Sequence, residues 1–296
     1  MNTKVCIFCG KKEHEFEEGN RWSEEHIIPL SLGNHGLKTY DVCRTCNNKL
    51  GEHVDHYLVN TVPFVLKRNI LGLRGESGKI PIPFKDGVDQ FNNKIRMDAD
   101  FKPSIVPKLD MQGLRITGTA NTKEEAKRMT EKKLKRMKYS DQVISNALLQ
   151  IENTQSHSYQ PIIEFPFTVD LNRVFLSITK IAYEYCCLRL GDSYMDDYRG
   201  KEIRHSLNKA INGEYKEWCP NILGVCSTPN ELTQYLDLAE HLNAHMIFLH
   251  PDKASHLICE VFLFLDRGTA FSVIVSDNAS KYEQSLASAW DIVDVY

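Results

Sequence analysis

No stretch of this 296-residue chain reaches the eighteen or so apolar residues that a membrane span needs. The opening Met1-Asn2-Thr3-Lys4-Val5-Cys6 has no apolar run of signal-peptide length. Together these give the expectation of a cytoplasmic protein with no membrane partner. Bulk positive charge is also lacking. The formal net charge is -3, so any nucleic acid must be met by a local basic patch and not by the chain as a whole. Internal repeats and low-complexity segments are absent. So are His-Glu-x-x-His and the Pro-Cys-x-x-Cys of zinc deaminases, which removes two common zinc-hydrolase readings. A hydrophobic content of 42% and a charged content of 25% are those of an ordinary globular protein, long enough for one large domain or two modest ones.

What is present concentrates near the start. Nine cysteines are an odd number for a disulfide framework, and four of them fall in two Cys-x-x-Cys pairs, Cys6/Cys9 and Cys43/Cys46. In a reducing compartment that spacing favours metal. Each pair places two thiolates on one tight turn, and two such turns close a tetrahedral zinc site with no open position, a structural site. The separation between the pairs exceeds that of a plain zinc ribbon, and the insert carries Glu25-His26. His26 to Leu30 reads as a short strand running into a turn at Leu32 to Gly36. Asn47 to Asn60 reads as a helix with Leu50, Val54 and Leu58 on one face.

A strand carrying Glu-His, a turn, and a helix that opens on Asn, all held by four cysteines, resembles the HNH endonuclease family and its ββα-metal fold. The residues that carry the resemblance are Cys6-x-x-Cys9, Glu25-His26-Ile27-Ile28-Pro29, Leu32-Gly33, Cys43-x-x-Cys46-Asn47-Asn48-x-x-Gly51 and Asp55. The resemblance implies a metal-dependent nuclease. In it His26 is the general base, and Glu25 and Asn47 serve a catalytic divalent cation, Mg²⁺ or Mn²⁺, separate from the zinc. The family's middle Asn has no counterpart in Lys38 to Val42. Asn34 stands earlier than the pattern asks, and Asp41 is the alternative residue to orient His26. Asp55 is read as an extra ligand or a hydrogen-bond partner, and His53 and His56 as exposed helix residues.

The expected fold class is α+β: a zinc-stapled ββα-metal module over residues 1–62, then a mixed helix and antiparallel-sheet region over 63–296, with a sub-boundary near 150–160. Short strands are expected at Lys79 to Phe84, Lys94 to Met97, Ser104 to Leu109 and Leu114 to Gly118. Thr122 opens a helix running to about Lys138, with a capping box to Glu125. It is the most basic stretch of the chain, and Lys127, Arg128, Lys132 and Lys135 are its candidate phosphate contacts. A solvated helix face is the bland alternative. Asn146 to Tyr159 reads as a loop and Pro161 to Thr168 as an edge strand.

Asn172 to Leu190 is a helix stopped by Gly191, with Val174, Ile178, Ile181, Tyr185 and Leu188 in the core and Lys180 and Arg189 on its rim. Further helices are expected at Lys201 to Ile211 and Asn230 to Leu242. Strands follow at His245 to His250, His256 to Leu265 and Ala270 to Ser276. His245, His250 and His256 are read as satisfied sheet histidines, not metal ligands.

The functional expectation is a DNA endonuclease that cuts double-stranded DNA, with restriction or phage defence as the role the family suggests. The larger region would supply target recognition, assembly into a homodimer, or gating by a signal. The alternatives are a non-catalytic zinc module that binds DNA or protein, and a nuclease that cuts RNA.

Overall fold

A computed structural model describes residues 4–75, 77–113, 115–155, 160–215, 223–225 and 242–296. The α+β class holds, and the chain divides into two compact units. One is Met1–Ile80 with Val169–Tyr296; the other is Pro81–Thr168. The sequence reading divides the chain after residue 62. The structure instead gathers the cysteine module with the C-terminal third, because they share one hydrophobic core.

In the first unit, β1 (Trp22–His26) pairs antiparallel with β2 (Lys38–Cys43), and α1 (Arg44–Leu50) follows directly. The strand therefore ends at His26, where the sequence suggested that one begins. Ile27 and Ile28 are fully buried beyond it, in a loop that closes on a single 3₁₀ turn, Leu30–Leu32. Helix α1 continues through a π-helical stretch, Gly51–Asp55, into α2 (His56–Asn60). Leu50, Val54 and Leu58 stay buried throughout, as their four-residue spacing requires. Pro63 near its start and Thr61 as its N-cap open α3 (Val62–Ile70).

The second unit holds β3 (Asp86–Asp89), β4 (Lys94–Met97), β5 (Pro103–Ile105), β6 (Lys108–Gln112) and β7 (Arg115–Thr119). Helices α4 (Lys123–Arg136) and α5 (Asp141–Asn153) follow, then β8 (Ile163–Glu164). Strands β5-β4-β3-β8 form one antiparallel sheet with β8 at its edge, and β6-β7 form a separate hairpin. Thr122 caps α4 by accepting from the Glu125 amide. Lys79 to Phe84 forms no strand. The loop expected from Asn146 onward is a correction: α5 covers it as far as Asn153. Its polar residues face outward while Ile144, Ala147 and Ile151 keep helical spacing, and Ile144 is buried.

Back in the first unit come α6 (Leu171–Leu190), α7 (Asp192–Met195), α8 (Tyr198–Ile211), and β9 (Leu223–Val225), β10 (Ala244–Pro251), β11 (Leu257–Phe262), β12 (Ala270–Ser276) and β13 (Trp290–Asp294). The sheet order is β13-β10-β11-β12-β9, and each neighbouring pair is antiparallel. The helix expected at Asn230 to Leu242 lies outside the described residues, apart from Leu242 itself.

Helix α6 is the centre of this unit. Ile178, Ile181, Ala182, Tyr183, Tyr185 and Cys186 are all fully buried. They belong to one core with Cys6, Phe8, Leu50, Val54 and Leu58 of the module and with Ile247, Cys259, Val261 and Val273 of the sheet. Hydrogen bonds stitch the helix to the module as well: Ser177 Oγ donates to the Val54 carbonyl and Tyr183 Oη to that of Ile7. Over residues 176–186 the helix is buried on every side and has no rim. Lys180, expected on one, is fully buried there. Towards the C-terminal end Leu188, expected in the core, is exposed, and Arg189 is part-exposed and pairs with Asp291.

Candidate active site and zinc centre

The four cysteines converge. One Sγ from each of Cys6, Cys9, Cys43 and Cys46 lies within 4.8 Å of the others, and Cys9 Sγ stands 3.9 Å from Cys43 Sγ. Thiolates at about 2.3 Å from a tetrahedral zinc would stand about 3.8 Å apart, so the donor set and spacing fit zinc. Local folding brings this about. The Gly10 amide closes the first turn on the Cys6 carbonyl, and Gly10 takes a positive φ of 71°. Cys43 ends β2 and is the N-cap of α1, which places Cys46 one turn on. Four sulfurs in so small a space perturb one another. Hydrogen bonding from Cys46 and its neighbours drives the Cys43 thiol down, and the reciprocal bond from Cys43 drives Cys46 up.

Beside this centre, alternation along β1 sorts the acidic residues. Glu24 and His26 share the outer face, and Glu25 points inward. Glu24 Oε1 lies 3.7 Å from His26 Nε2 and 2.8 Å from Lys38 Nζ, and Tyr40 Oη donates to the other carboxylate oxygen. The hydrogen bond from Lys38 holds the Glu24 carboxyl below its usual range. His26 is half-buried; desolvation first, and the Lys38 cation second, lower its pKa and favour the neutral ring. Asn47 arrives from the first turns of α1. Its Nδ2 donates to the Glu24 carbonyl (2.8 Å) and to Ser23 Oγ (3.1 Å). This fixes the amide plane and leaves Oδ1 with no donor among the described residues, a free hard oxygen.

The loop after His26 is organised by Asn34, which is fully buried. Its Nδ2 donates to the carbonyls of Ile28 (2.7 Å) and Leu37 (2.9 Å), and its Oδ1 accepts from the amides of Leu37 (2.8 Å) and Gly36 (3.1 Å). Gly33 beside it has φ 94°, and a Cβ there would meet Val295 Cγ1 at 2.6 Å, so no other residue fits without movement. Asp41 takes no part: it pairs with Lys4 at the surface.

Glu25 has a different partner. Its Oε1 lies 2.5 Å from Nζ of Lys180, which also stands 3.0 Å from Asp55 Oδ2 and 3.2 Å from Glu184 Oε2. Burial works against the ammonium, but Asp55, Glu184 and Glu25 outweigh it and keep it charged; burial pushes all three carboxyls up. The structure thus brings His26 and Asn47 together with Glu24. It sends Glu25 to a buried cluster with Asp55. Glu25 and Asn47 consequently do not fit as the joint donor set of a divalent cation: the amide oxygen is free, the carboxylate is engaged. Sequence reading missed Glu24 and Lys180. The period-two pattern across Trp22 to His26 held the signal for the first. The Lys180/Glu184 pair at i,i+4 inside an apolar run held it for the second.

The candidate phosphate contacts lie on α4 in the second unit. Lys127 pairs with Glu152, Lys135 with Glu131 (2.6 Å), and Arg128 reaches Glu125 only at 4.0 Å. Lys132 is exposed and has no ion-pair partner among the described residues. The three sheet histidines are satisfied: His245 by the Leu32 carbonyl, His250 by Glu260 and His256 by Asp252. Among the described residues no helix is long and apolar enough to cross a membrane.

Comparison with known proteins adds one finding. Residues 6–63 match the family model described as HNH endonuclease. No curated protein and no solved structure matches the chain. The matched span runs from the first zinc-ligand candidate to the start of α3 and contains both cysteine pairs, β1, β2 and α1. The N-terminal stretch, residues 6–63, with its cluster of four cysteines, is therefore similar to the HNH endonuclease family.

Proposed function

We propose that this chain is an endonuclease that hydrolyses phosphodiester bonds in double-stranded DNA, with His26 as general base. One observation carries the reading: in a stretch that matches a nuclease family, a half-buried histidine held toward its neutral form stands on the outer face of β1, and Asn47 is fixed on the carbonyl of Glu24, two residues before it. A neutral imidazole takes a proton from water near pH 7. The water oxygen then bonds to phosphorus as the bond to the 3′ oxygen breaks, leaving 5′-phosphate and 3′-hydroxyl ends. Lys38 adds positive charge on the same face, and Glu24 steadies Lys38. The thiolate centre has no part in the reaction; it staples a segment too small to fold on its own core. Mg²⁺ or Mn²⁺ enters this reading from the family alone. Restriction or phage defence is the role we attach to it, also by family analogy.

The test is plasmid nicking by purified protein with Mg²⁺ or Mn²⁺, beside His26→Ala. Nicking that disappears in the variant supports the enzyme; equal behaviour of the two proteins removes it. A second reading, a zinc module that binds nucleic acid or protein without cutting, draws on the engagement of Glu25 by Lys180. It predicts binding without nicking in the same assay. Replacing the plasmid with RNA separates the RNA-cutting variant of the proposal.

A further inference from the structure

The buried cluster around Lys180 is built from three parts of the chain. Glu25 comes from β1, Asp55 from the end of the π-helical stretch, and Glu184 from the next turn of α6 itself. One ammonium therefore joins both limbs of the ββα unit to a helix outside the family match. The side chains of Lys180 and Glu184 are fully buried, and that of Glu25 is 6% exposed. A carboxylate in such a place needs a cation against it. In the family pattern Glu25 would face a divalent ion. Here a covalently attached, singly charged group has taken that carboxylate, and the oxygen at 2.5 Å leaves no room for an ion between them.

We infer that Lys180 replaces the divalent cation as the partner of Glu25, and that Glu25 is a positioning residue for His26 and not a metal ligand. The inference rests on the nuclease reading for its meaning, though not for its test. Its logic is mechanical. Glu25 precedes His26 on a strand whose other face is open. Anchoring Glu25 inward fixes where the strand ends and hence where the ring of His26 stands. Asp55, drawn to the same ammonium, fixes the helical run that begins at Arg44 and carries Asn47. Any divalent ion on the open face is left to the free Asn47 Oδ1 and to groups of the DNA.

The test uses the whole, zinc-loaded chain and Mn²⁺ as the probe, followed by the loss of its free-ion paramagnetic resonance signal. Glu25→Gln is expected to take up Mn²⁺ within about twofold of the parent, because the carboxylate removed is not a ligand. Uptake equal in both, or absent from both, supports the inference. A loss of tenfold or more in Glu25→Gln overturns it. Melting supplies the second arm. Lys180→Met strands three buried carboxyls and is expected to melt far below the parent, or not to fold. Glu25→Gln with Lys180→Met removes both partners and is expected to melt above Lys180→Met alone. A double variant that melts at or below the single one also overturns the pairing. If nicking proves absent or indifferent to His26→Ala, the nuclease reading falls, and the Mn²⁺ and melting comparisons still decide this one.

Discussion

His245 on β10 donates from Nε2 to the carbonyl of Leu32, in the loop after β1, at 3.0 Å, while its Nδ1 accepts from the amide of Phe264 at 2.9 Å. The two bonds specify one neutral tautomer. They also tie the C-terminal sheet to the loop that Asn34 organises. The ring is fully buried, and desolvation lowers its pKa to about 4. Between pH 6.5 and 4 the unfolded chain binds a proton that the folded chain refuses. Stability is therefore complete above pH 6.5 and falls as pH drops through that window. The loss from this one ring is about 2 kcal/mol between pH 7.5 and 5. His245→Gln does not titrate there. It should melt lower than the parent at pH 7.5, with a gap that narrows by that amount at pH 5. A gap that is constant with pH would show the ring is not buried neutral.

Zinc content is the simplest prediction. The purified chain should carry close to one zinc ion, retained through mild chelation, and Cys43→Ser should carry none. Cys43 is the critical choice because it stands where β2 passes into α1, so losing its thiolate frees both limbs of the module from the zinc. A structural zinc site of this kind contributes on the order of 10 kcal/mol of apparent binding free energy. Cys43→Ser should therefore lose the cooperative melting of the first unit, whose core includes Cys6, Phe8, Ile28, Leu50 and Val54 of the module. A metal-free variant that melts like the parent would refute the structural role.

Much of this was legible in the sequence because the signals were local. The paired cysteines, Leu50/Val54/Leu58, the Thr122 cap and the Gly191 stop each report on a neighbourhood of a few residues. The misses share a different cause. Which of Glu24 and Glu25 faces His26 depends on the inward or outward sense of β1, and a register shift between Ser23 and Glu25 breaks simple counting from the hairpin. That sense is set by α6, which lies about 150 residues away in sequence. Lys180 looked like a rim residue because helical periodicity cannot distinguish a helix packed on one side from one packed on all sides. β13 was invisible because a five-residue segment with exposed Trp290 and Ile292 becomes a strand only through its pairing with β10.

Asn34 offers a prediction about the loop. Asn34→Ala removes two donors and two acceptor bonds at a fully buried position and leaves the Ile28 and Leu37 groups unsatisfied. The cost should be about 3 kcal/mol, or roughly 10 °C in melting temperature for a unit of this size. Asn34→Asp keeps both amide bonds to its oxygens but turns a carboxylate on the carbonyls of Ile28 and Leu37. It should be no better than Ala at pH 7 and should recover as the pH is lowered and the carboxyl protonates. Thermal melting at pH 5 and pH 7.5 checks both. An alanine variant within 2 °C of the parent would remove Asn34 as the organiser of the loop.

The basic helix gives a prediction that separates charge from contact. Lys127 and Lys135 are engaged by Glu152 and Glu131, whereas the side chain of Arg128 is 79% exposed and Lys132 has no acidic partner among the described residues. If α4 meets DNA phosphates, Arg128 and Lys132, the less engaged pair, should carry the contacts. Each phosphate neutralised contributes about 0.9 to the slope of log K against log salt concentration. Arg128→Gln with Lys132→Gln should lower that slope by about 2, and Lys127→Gln with Lys135→Gln by less than 1. Fluorescence anisotropy on a labelled duplex measures both, with His26→Ala as the background so that the duplex stays intact. The engaged pair acts as an internal control, because its replacement removes the same formal charge from the same helix. Equal slopes in all proteins would place the DNA elsewhere and leave α4 as a solvated helix face. Equal and large losses in both pairs would mean that bulk charge, and not the more exposed side chains, sets the affinity.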